Sequence, residues 1–290
     1  MSRELSRTAP EISPGLYRTI QIVKSIAVYF LLILAALIVL FPLLFSLSLA
    51  VQGPTIAPNL LPDFSNLDFS VFGQAFAREK NLGRWIVNSF VVSIAVTLGQ
   101  LVTSALAAYA LVTLKFPGKS LFLFLFLGTL MIPWESTIVP NYLSVTSWGW
   151  KDSYQGLIAP FLASGFGIFL LRQYFMTIPR DLYEAATIDG CGRTRYLWSI
   201  LIPLSRPALG TLAVYAFLNT WNQYYWPLLI IDDPVWRTTQ VGITAFRSSE
   251  IQVYNLQMAA TIIVLLPTLI LLILGQRQLV RGLTEGALKG

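Results

Sequence analysis

Tyr183-Glu184-Ala185-Ala186-Thr187-Ile188-Asp189-Gly190, followed by Ile200-Leu201-Ile202-Pro203, is the stretch on which the reading of this chain turns. It is charged, rich in small residues and closed by glycine, yet long apolar segments flank it on both sides. A loop this polar inside so apolar a chain suits a surface gripped by a soluble partner. Its pattern reads as helix, turn, helix. Asp181 stands where an N-cap would, and Glu184 three residues later completes capping-box spacing. Leu182, Ala185 and Ala186 fall on one face, which the alanines keep shallow. Gly190 supplies a backbone able to turn at positive φ. The second helix is expected from Arg193 to Leu201, with Pro203 ending it before the next apolar segment.

Working outward, hydrophobic residues make up 55% of the 290 residues and charged residues only 12%. A soluble domain carries about twice that charged share, so one membrane bundle is expected rather than two soluble domains. Six segments are long enough to cross about 30 Å of hydrocarbon: Ser25–Ala50, Trp85–Leu114, Leu121–Tyr142, Tyr154–Leu171, Pro207–Ile231 and Tyr254–Leu274. None contains Lys or Arg, each of which would cost about 2.5–3.5 kcal/mol at mid-membrane. The fourth is expected to run on to Phe175 with Arg172 snorkelling. Ser48-Leu49-Ala50 resembles a signal-cleavage site, but the apolar run before it exceeds the usual signal length, so the segment reads as a retained anchor. The long connection 51–84 is broken by Pro54, Pro58, Pro62 and Gly83 and holds a short surface helix near Leu67–Ala77. It either contacts a binding protein or caps the bundle.

With the N-terminus inside, the inner segments hold 14 of the 20 Lys and Arg residues and the outer segments 6. The positive-inside rule then predicts that both termini and the loop at 179–203 are cytoplasmic. The net charge of +6 is this bias and needs no nucleic acid. The sequence contains no His and a single Cys, Cys191, which removes histidine chemistry and internal disulfides. Gly118-Lys119-Ser120 looks like the end of a phosphate-binding loop, but Thr113 stands where the first glycine is required. The tripeptide reads as a tight turn, so the chain has no ATP site of its own and is not an enzyme.

Glu184-Ala185-Ala186, three residues, Gly190, nine residues and then Ile200-x-Ile202-Pro203 resembles the EAA loop of the permease subunits of bacterial ABC importers. Ile202 replaces the family's Leu. The ending Gly282-Leu283-Thr284-Glu285-Gly286-Ala287-Leu288-Lys289-Gly290 is similar to the tail of the carbohydrate-type members. Asn88-Ser89, Leu171–Phe175, Trp221–Tyr224 and Trp226–Ile231 extend the likeness, which is strongest toward the glycerol-3-phosphate and maltose permease subunits. The resemblance implies an all-α, polytopic type I importer permease fold with six transmembrane helices. The divisions are a cytoplasmic N-terminal segment (1–24), the permease domain (25–281) and a cytoplasmic tail (282–290). It further implies that Glu184, Ala185, Ala186, Asp189 and Gly190 couple to an ATPase, with Glu184 pairing with a basic residue there. Gly282, Leu283, Thr284, Gly286, Lys289 and Gly290 would reach between the ATPase subunits. ATP and Mg would be bound by the partner and no cofactor by this chain. The implied partners are a second homologous permease subunit, a dimeric ATP-binding subunit, a solute-binding protein, membrane lipid, and a sugar, polyol or glycerol phosphate as cargo. The implied place is the bacterial inner membrane.

Polar groups inside a membrane are functional candidates. Glu135, between Pro133 and Pro140, either lines a cavity or bonds to a neighbouring span. Asn219, Asn222 and Gln223 share one face at i, i+3 and i+4. With Trp221 they form either a sugar-like pathway wall of amides and aromatics or interhelical hydrogen bonds. Tyr225 and Trp226 read as an interfacial belt. A self-sufficient secondary transporter or channel is the rival reading. One acid within the spans and no visible repeat weigh against it, and a purely structural scaffold would leave the loop spacing unexplained.

Overall fold

The computed structural model describes residues 14–53, 61–247 and 254–284. The described residues are helical and contain no strand. In chain order the helices are α1 (Pro14–Ala50), α2 (Ser70–Arg78), α3 (Leu82–Thr113), α4 (Lys119–Thr129), α5 (Trp134–Ser147), α6 (Tyr154–Ile158) and α7 (Gly165–Thr177). Then come α8 (Asp181–Ile188), α9 (Arg193–Tyr196), α10 (Ile202–Leu204), α11 (Arg206–Trp221), α12 (Tyr225–Ile230), α13 (Thr239–Gly242) and α14 (Tyr254–Thr284). A π-helical turn, Leu197–Leu201, joins α9 to α10.

The segments in α1, α3 and α14 are each long and apolar enough to cross a membrane, as expected. The third and fourth expected spans are broken. The third bends by 97° between α4 and α5. Pro133 disfavours helix at Ile132 and brings no N–H of its own; with φ −59° and ψ 136° it becomes the N-cap of α5. The fourth bends by 44° before α7, where Ser164 caps the new helix by accepting from the Gly167 N–H at 3.2 Å. The surface helix expected at 67–77 forms as α2.

The fifth expected span ends early, because α11 stops at Trp221 and α12 restarts at Tyr225. Nor does Pro203 end the helix before it. That helix runs on to Leu204 and turns by 80° at Ser205. Pro207, in the first turn of α11, is compatible with a helix start and not with a helix interior, so the turn belongs to it.

α3 is the axis of the bundle. α7 and α11 pack along it, and α14 packs against α11. Small residues permit the α3–α7 approach: a Cβ on Gly167 would overlap the Ser104 hydroxyl, an arrangement typical of membrane helix pairs. α1 differs from the rest. None of its most apolar window is buried, and only its end packs, with Ala50 buried beside Ala75, Trp85 and Ala259. An apolar helix this exposed suits lipid or another apolar chain, not water.

Asn88 and Ser89 hold the segment at 234–239 onto α3. Asn88 Nδ2 donates to the carbonyls of Val235 (2.9 Å) and Arg237 (3.0 Å). Tyr154 Oη donates to Asn88 Oδ1 at 2.8 Å, and the Thr239 N–H donates to Ser89 Oγ at 2.9 Å. Trp85 Nε1 donates to the Pro234 carbonyl at 2.6 Å, and its ring fills the space beside Gly242. A side chain at Gly242 would overlap that ring. Gly242→Val is therefore expected to destabilise the fold by about 1–3 kcal/mol, read as a lower thermal midpoint in detergent. The opposite clasp is Asp152, at φ 49°, whose Oδ1 accepts from the N–H groups of Asp232 (2.7 Å) and Asp233 (2.9 Å). Beside it Lys151 pairs with Asp232 at 2.6 Å, and that hydrogen bond pushes the Lys151 pKa up.

Candidate functional site

α8 is held to the bundle on one side and exposed on the other. Its buried contact is Ala186, with Tyr183 half-buried beside it. They pack on Ala105, Ala108 and Tyr109 of α3, Leu171 and Phe175 of α7, and Tyr196. Tyr183 meets Tyr196 edge-on with ring centroids 4.9 Å apart. Tyr109 Oη reaches across to donate to the Arg193 carbonyl at 3.1 Å.

The end of α8 has a specific geometry. The Gly190 N–H bonds the Thr187 carbonyl at 3.0 Å, and the Cys191 N–H bonds the Ala186 carbonyl at 2.8 Å. Gly190 sits at φ +75°. This is a Schellman motif with glycine in the left-handed position, and it sets the angle between α8 and α9. The expected positive-φ turn at Gly190 is therefore present.

Other expectations for the loop change. Asp181 is not the N-cap: Arg180 holds that place without a side-chain cap bond. Asp181 and Glu184 instead lie in the first turn, where negative charge complements the helix dipole. Leu182, Ala185 and Ala186 do not act as one surface. Ala186 faces the core while Ala185, about 100° round the helix from it, and Leu182, one turn earlier, are exposed. The outward face carries Leu182, Glu184, Ala185, Ile188 and Asp189. Ile188, missed in the sequence, is 87% exposed. An isoleucine that open at a polar turn is the one signal that would have found it.

The second site is a cavity of about 380 Å3 where α11 breaks from α12. Asn219, Thr220, Asn222 and Gln223 line it on one side, with Tyr224, Tyr225 and Trp226 following. Trp134, Phe161 and Gln100 close it. The break, not one continuous helical face, presents these amides together. Asn219 and Asn222 fix their amides by donating to Tyr215 O (2.9 Å) and Leu218 O (2.8 Å). Gln240 Nε2 donates to Asn222 Oδ1 at 3.3 Å.

Gln100 was not singled out in the sequence, although an amide in the middle of an apolar span is a signal. Its Nε2 donates to the Phe161 carbonyl at 2.9 Å, and its Oε1 is buried without a partner. Three sequence expectations move. Trp221 does not line the cavity; it is buried, stacks with Phe217 (5.7 Å between centroids) and donates to Val264 O at 3.3 Å. Trp226 is core rather than belt, donating to Gly156 O at 3.0 Å. Glu135 neither lines this cavity nor bonds to another span among the described residues. Trp134 takes the inward place, against Phe161 and Trp226, so the next residue is rotated outward.

Gly282, Leu283 and Thr284 form the last helical turn of α14, while Gly286, Lys289 and Gly290 lie outside the described residues. Among the described residues no group of three or more His, Cys, Asp or Glu side chains could hold a metal ion.

Several known proteins are similar to this chain in sequence or in fold. The chain is 38% identical over 269 residues to the sn-glycerol-3-phosphate transport system permease protein UgpE of Yersinia pestis bv. Antiqua (strain Antiqua), covering 89% of this chain and 95% of that one. The protein of the same name from Escherichia coli O1:K1 / APEC is 41% identical over 207 residues, 70% of this chain and 73% of that one. Among solved structures, a bacterial ABC transporter involved in importing the acidic polysaccharide alginate superposes with a TM-score of 0.78 at 23% identity, covering 93% of this chain and 99% of that one. The bacterial alginate ABC transporter in complex with an alginate pentasaccharide-bound periplasmic protein gives 0.60 at 16% identity, over 89% and 92%. The family model for the binding-protein-dependent transport system inner membrane component matches residues 12–285, and the chain belongs to that family, as a multi-pass permease subunit of an ABC importer.

Proposed function

We propose that this permease carries a sugar, polyol or glycerol phosphate, delivered by a solute-binding protein, through the cavity at the α11–α12 break. A second homologous permease completes the pathway, and a dimeric ATPase binding ATP and Mg drives it. The observation that carries this reading is α8. One side is fixed to three helices by Ala186, Tyr183 and the Gly190 turn, and the other is open for a partner. A helix so placed transmits a push into α3 and α7. Relatives named for sn-glycerol-3-phosphate support the cargo class. Exposed α1 supports a second permease alongside lipid. The lysine and arginine distribution supports cytoplasmic termini, and the tail sequence at 282–290 is assigned to contact with the ATPase.

The cavity chemistry agrees with a polyol. Amides pair with hydroxyls, and the faces of Trp134, Tyr225 and Phe161 suit C–H surfaces. Among the described residues no Lys or Arg lines it; a phosphate would meet amide and hydroxyl donors here, with its counter-charge on the partner permease.

Two measurements test the reading. Glu184→Ala in the assembled transporter is expected to lower both uptake and substrate-stimulated ATP hydrolysis about tenfold, the cost of about one charged hydrogen bond. Unchanged coupling would refute the role of α8. Asn222→Ala is expected to raise the uptake KM about five- to tenfold with the thermal midpoint nearly unchanged. An unchanged KM and rate would remove Asn222 from the pathway.

A further inference from the structure

A second cavity, of about 300 Å3, opens where the end of α3, the start of α4 and the α7–α8 junction meet. Its rim carries Lys115, Lys119 and Arg180, against one carboxylate, Glu184. Arg172 does not line the cavity but, with Arg180, lies near enough to repel Lys119. None of these four cations is in an ion pair: among the described residues the salt bridge within 4 Å is Lys151–Asp232. Two details make this more than a solvated basic patch. Lys119 is anchored by donating to the carbonyls of Val112 and Leu114, both at 3.2 Å, which leaves its third N–H for a ligand. Arg172 Nε is buried without any hydrogen-bond partner. A buried unpaired guanidinium nitrogen is costly unless something accepts from it.

The cavity's position favours one class of anion. It lies at the end of the apolar helices α3 and α4, so it sits at the level of lipid headgroups. The adjoining turns of α4 expose Leu121, Phe122, Phe124 and Leu125, an apolar track leading away from the cations. Charge at the rim with an acyl-sized apolar surface beside it matches an anionic lipid, and basic pockets between membrane helices favour such headgroups. We propose that this cavity binds the phosphate of an anionic phospholipid. The lipid neutralises Lys115, Lys119 and Arg180, offsets the nearby charge of Arg172, and fastens the α3–α4 turn to the root of α8. Lipid binding is read without cargo uptake or ATP hydrolysis, so the proposal can be tested whether or not the transport reading holds.

The test is lipid retention by the full-length chain in detergent, read by native mass spectrometry. Phosphatidylglycerol and phosphatidylcholine of identical acyl chains are added separately, to the wild type and to Lys115→Gln/Arg180→Gln. Bound phosphatidylglycerol is expected to exceed phosphatidylcholine about tenfold on the wild type, and the double variant is expected to lose that preference. Should the double variant lose helix content by circular dichroism, Lys115→Gln alone, at an exposed position, replaces it and is expected to weaken the preference several-fold. Equal retention of the two lipids, or an unchanged preference in the variants, overturns the proposal. So does displacement by inorganic phosphate, which would mark a free-anion site. Displacement by the ATPase subunit would mark a protein-docking socket and overturns it as well.

Discussion

Gly190→Pro is expected to abolish uptake while leaving the permease inserted. Proline is fixed near φ −65°, whereas Gly190 requires +75°. The substitution also removes the N–H that bonds Thr187 O and disfavours helical backbone at Asp189. Strain of about 1–3 kcal/mol and a lost hydrogen bond of about 1 kcal/mol cannot be absorbed at the turn, so the chain re-aims α8 relative to α9. A shift of about 3 kcal/mol lowers the population of the original orientation about a hundredfold. Uptake and substrate-stimulated ATPase activity should fall on that scale. The thermal midpoint should fall much less, because the core contacts of Tyr183 and Ala186 lie before the turn. Gly190→Asn is the control, since asparagine tolerates the left-handed region and should retain most activity. Normal uptake by Gly190→Pro would mean that the angle at Gly190 does not matter to coupling.

What the sequence carried and what it hid follow from the range of each signal. Hydropathy located the apolar segments because it averages over about twenty residues, and for the same reason it could not see breaks of one to four residues. The breaks at Ile132–Pro133, Ser164 and Asn222–Tyr224 each depend on one proline, one hydroxyl cap or a short polar run. Gly190 was legible because a left-handed turn admits few residues. The facing of Ala185 and Ala186 was not, since two adjacent alanines look alike and only Tyr196, Phe175 and Ala108 decide which one is buried. The amides Asn219, Asn222 and Gln223 meet at a cavity because the helix stops, not because they share one helical face. Trp221 was misplaced, since an indole beside amides fits a core as well as a pathway, and its partners Phe217 and Val264 are set by tertiary packing. Gln100 lies far in sequence from the other lining residues, so only the fold brings it to them.

The largest stability loss is expected from Trp226→Ala. The indole is fully buried, donates to Gly156 O at 3.0 Å and meets Trp134 and Phe161 edge-on, at 5.9 and 6.0 Å between centroids. Truncation leaves a void beside the rings of Trp134 and Phe161 and orphans a buried carbonyl. Gly156 cannot compensate, because a Cβ there would overlap the Trp150 carbonyl. Replacing a buried Trp by Ala costs about 3–5 kcal/mol, a large part of what holds most folded domains together. The same rings form the floor of the cavity, so uptake should fall with stability. Two variants separate packing from hydrogen bonding. Trp226→Phe keeps most of the ring and should lose only about 1–3 kcal/mol, from the unmade bond and residual space. Tyr225→Ala, at a neighbour 69% exposed, should leave the thermal midpoint nearly unchanged and alter uptake alone. If all three variants melted together, the aromatic cluster would not be the element that holds α12 against α5 and α6.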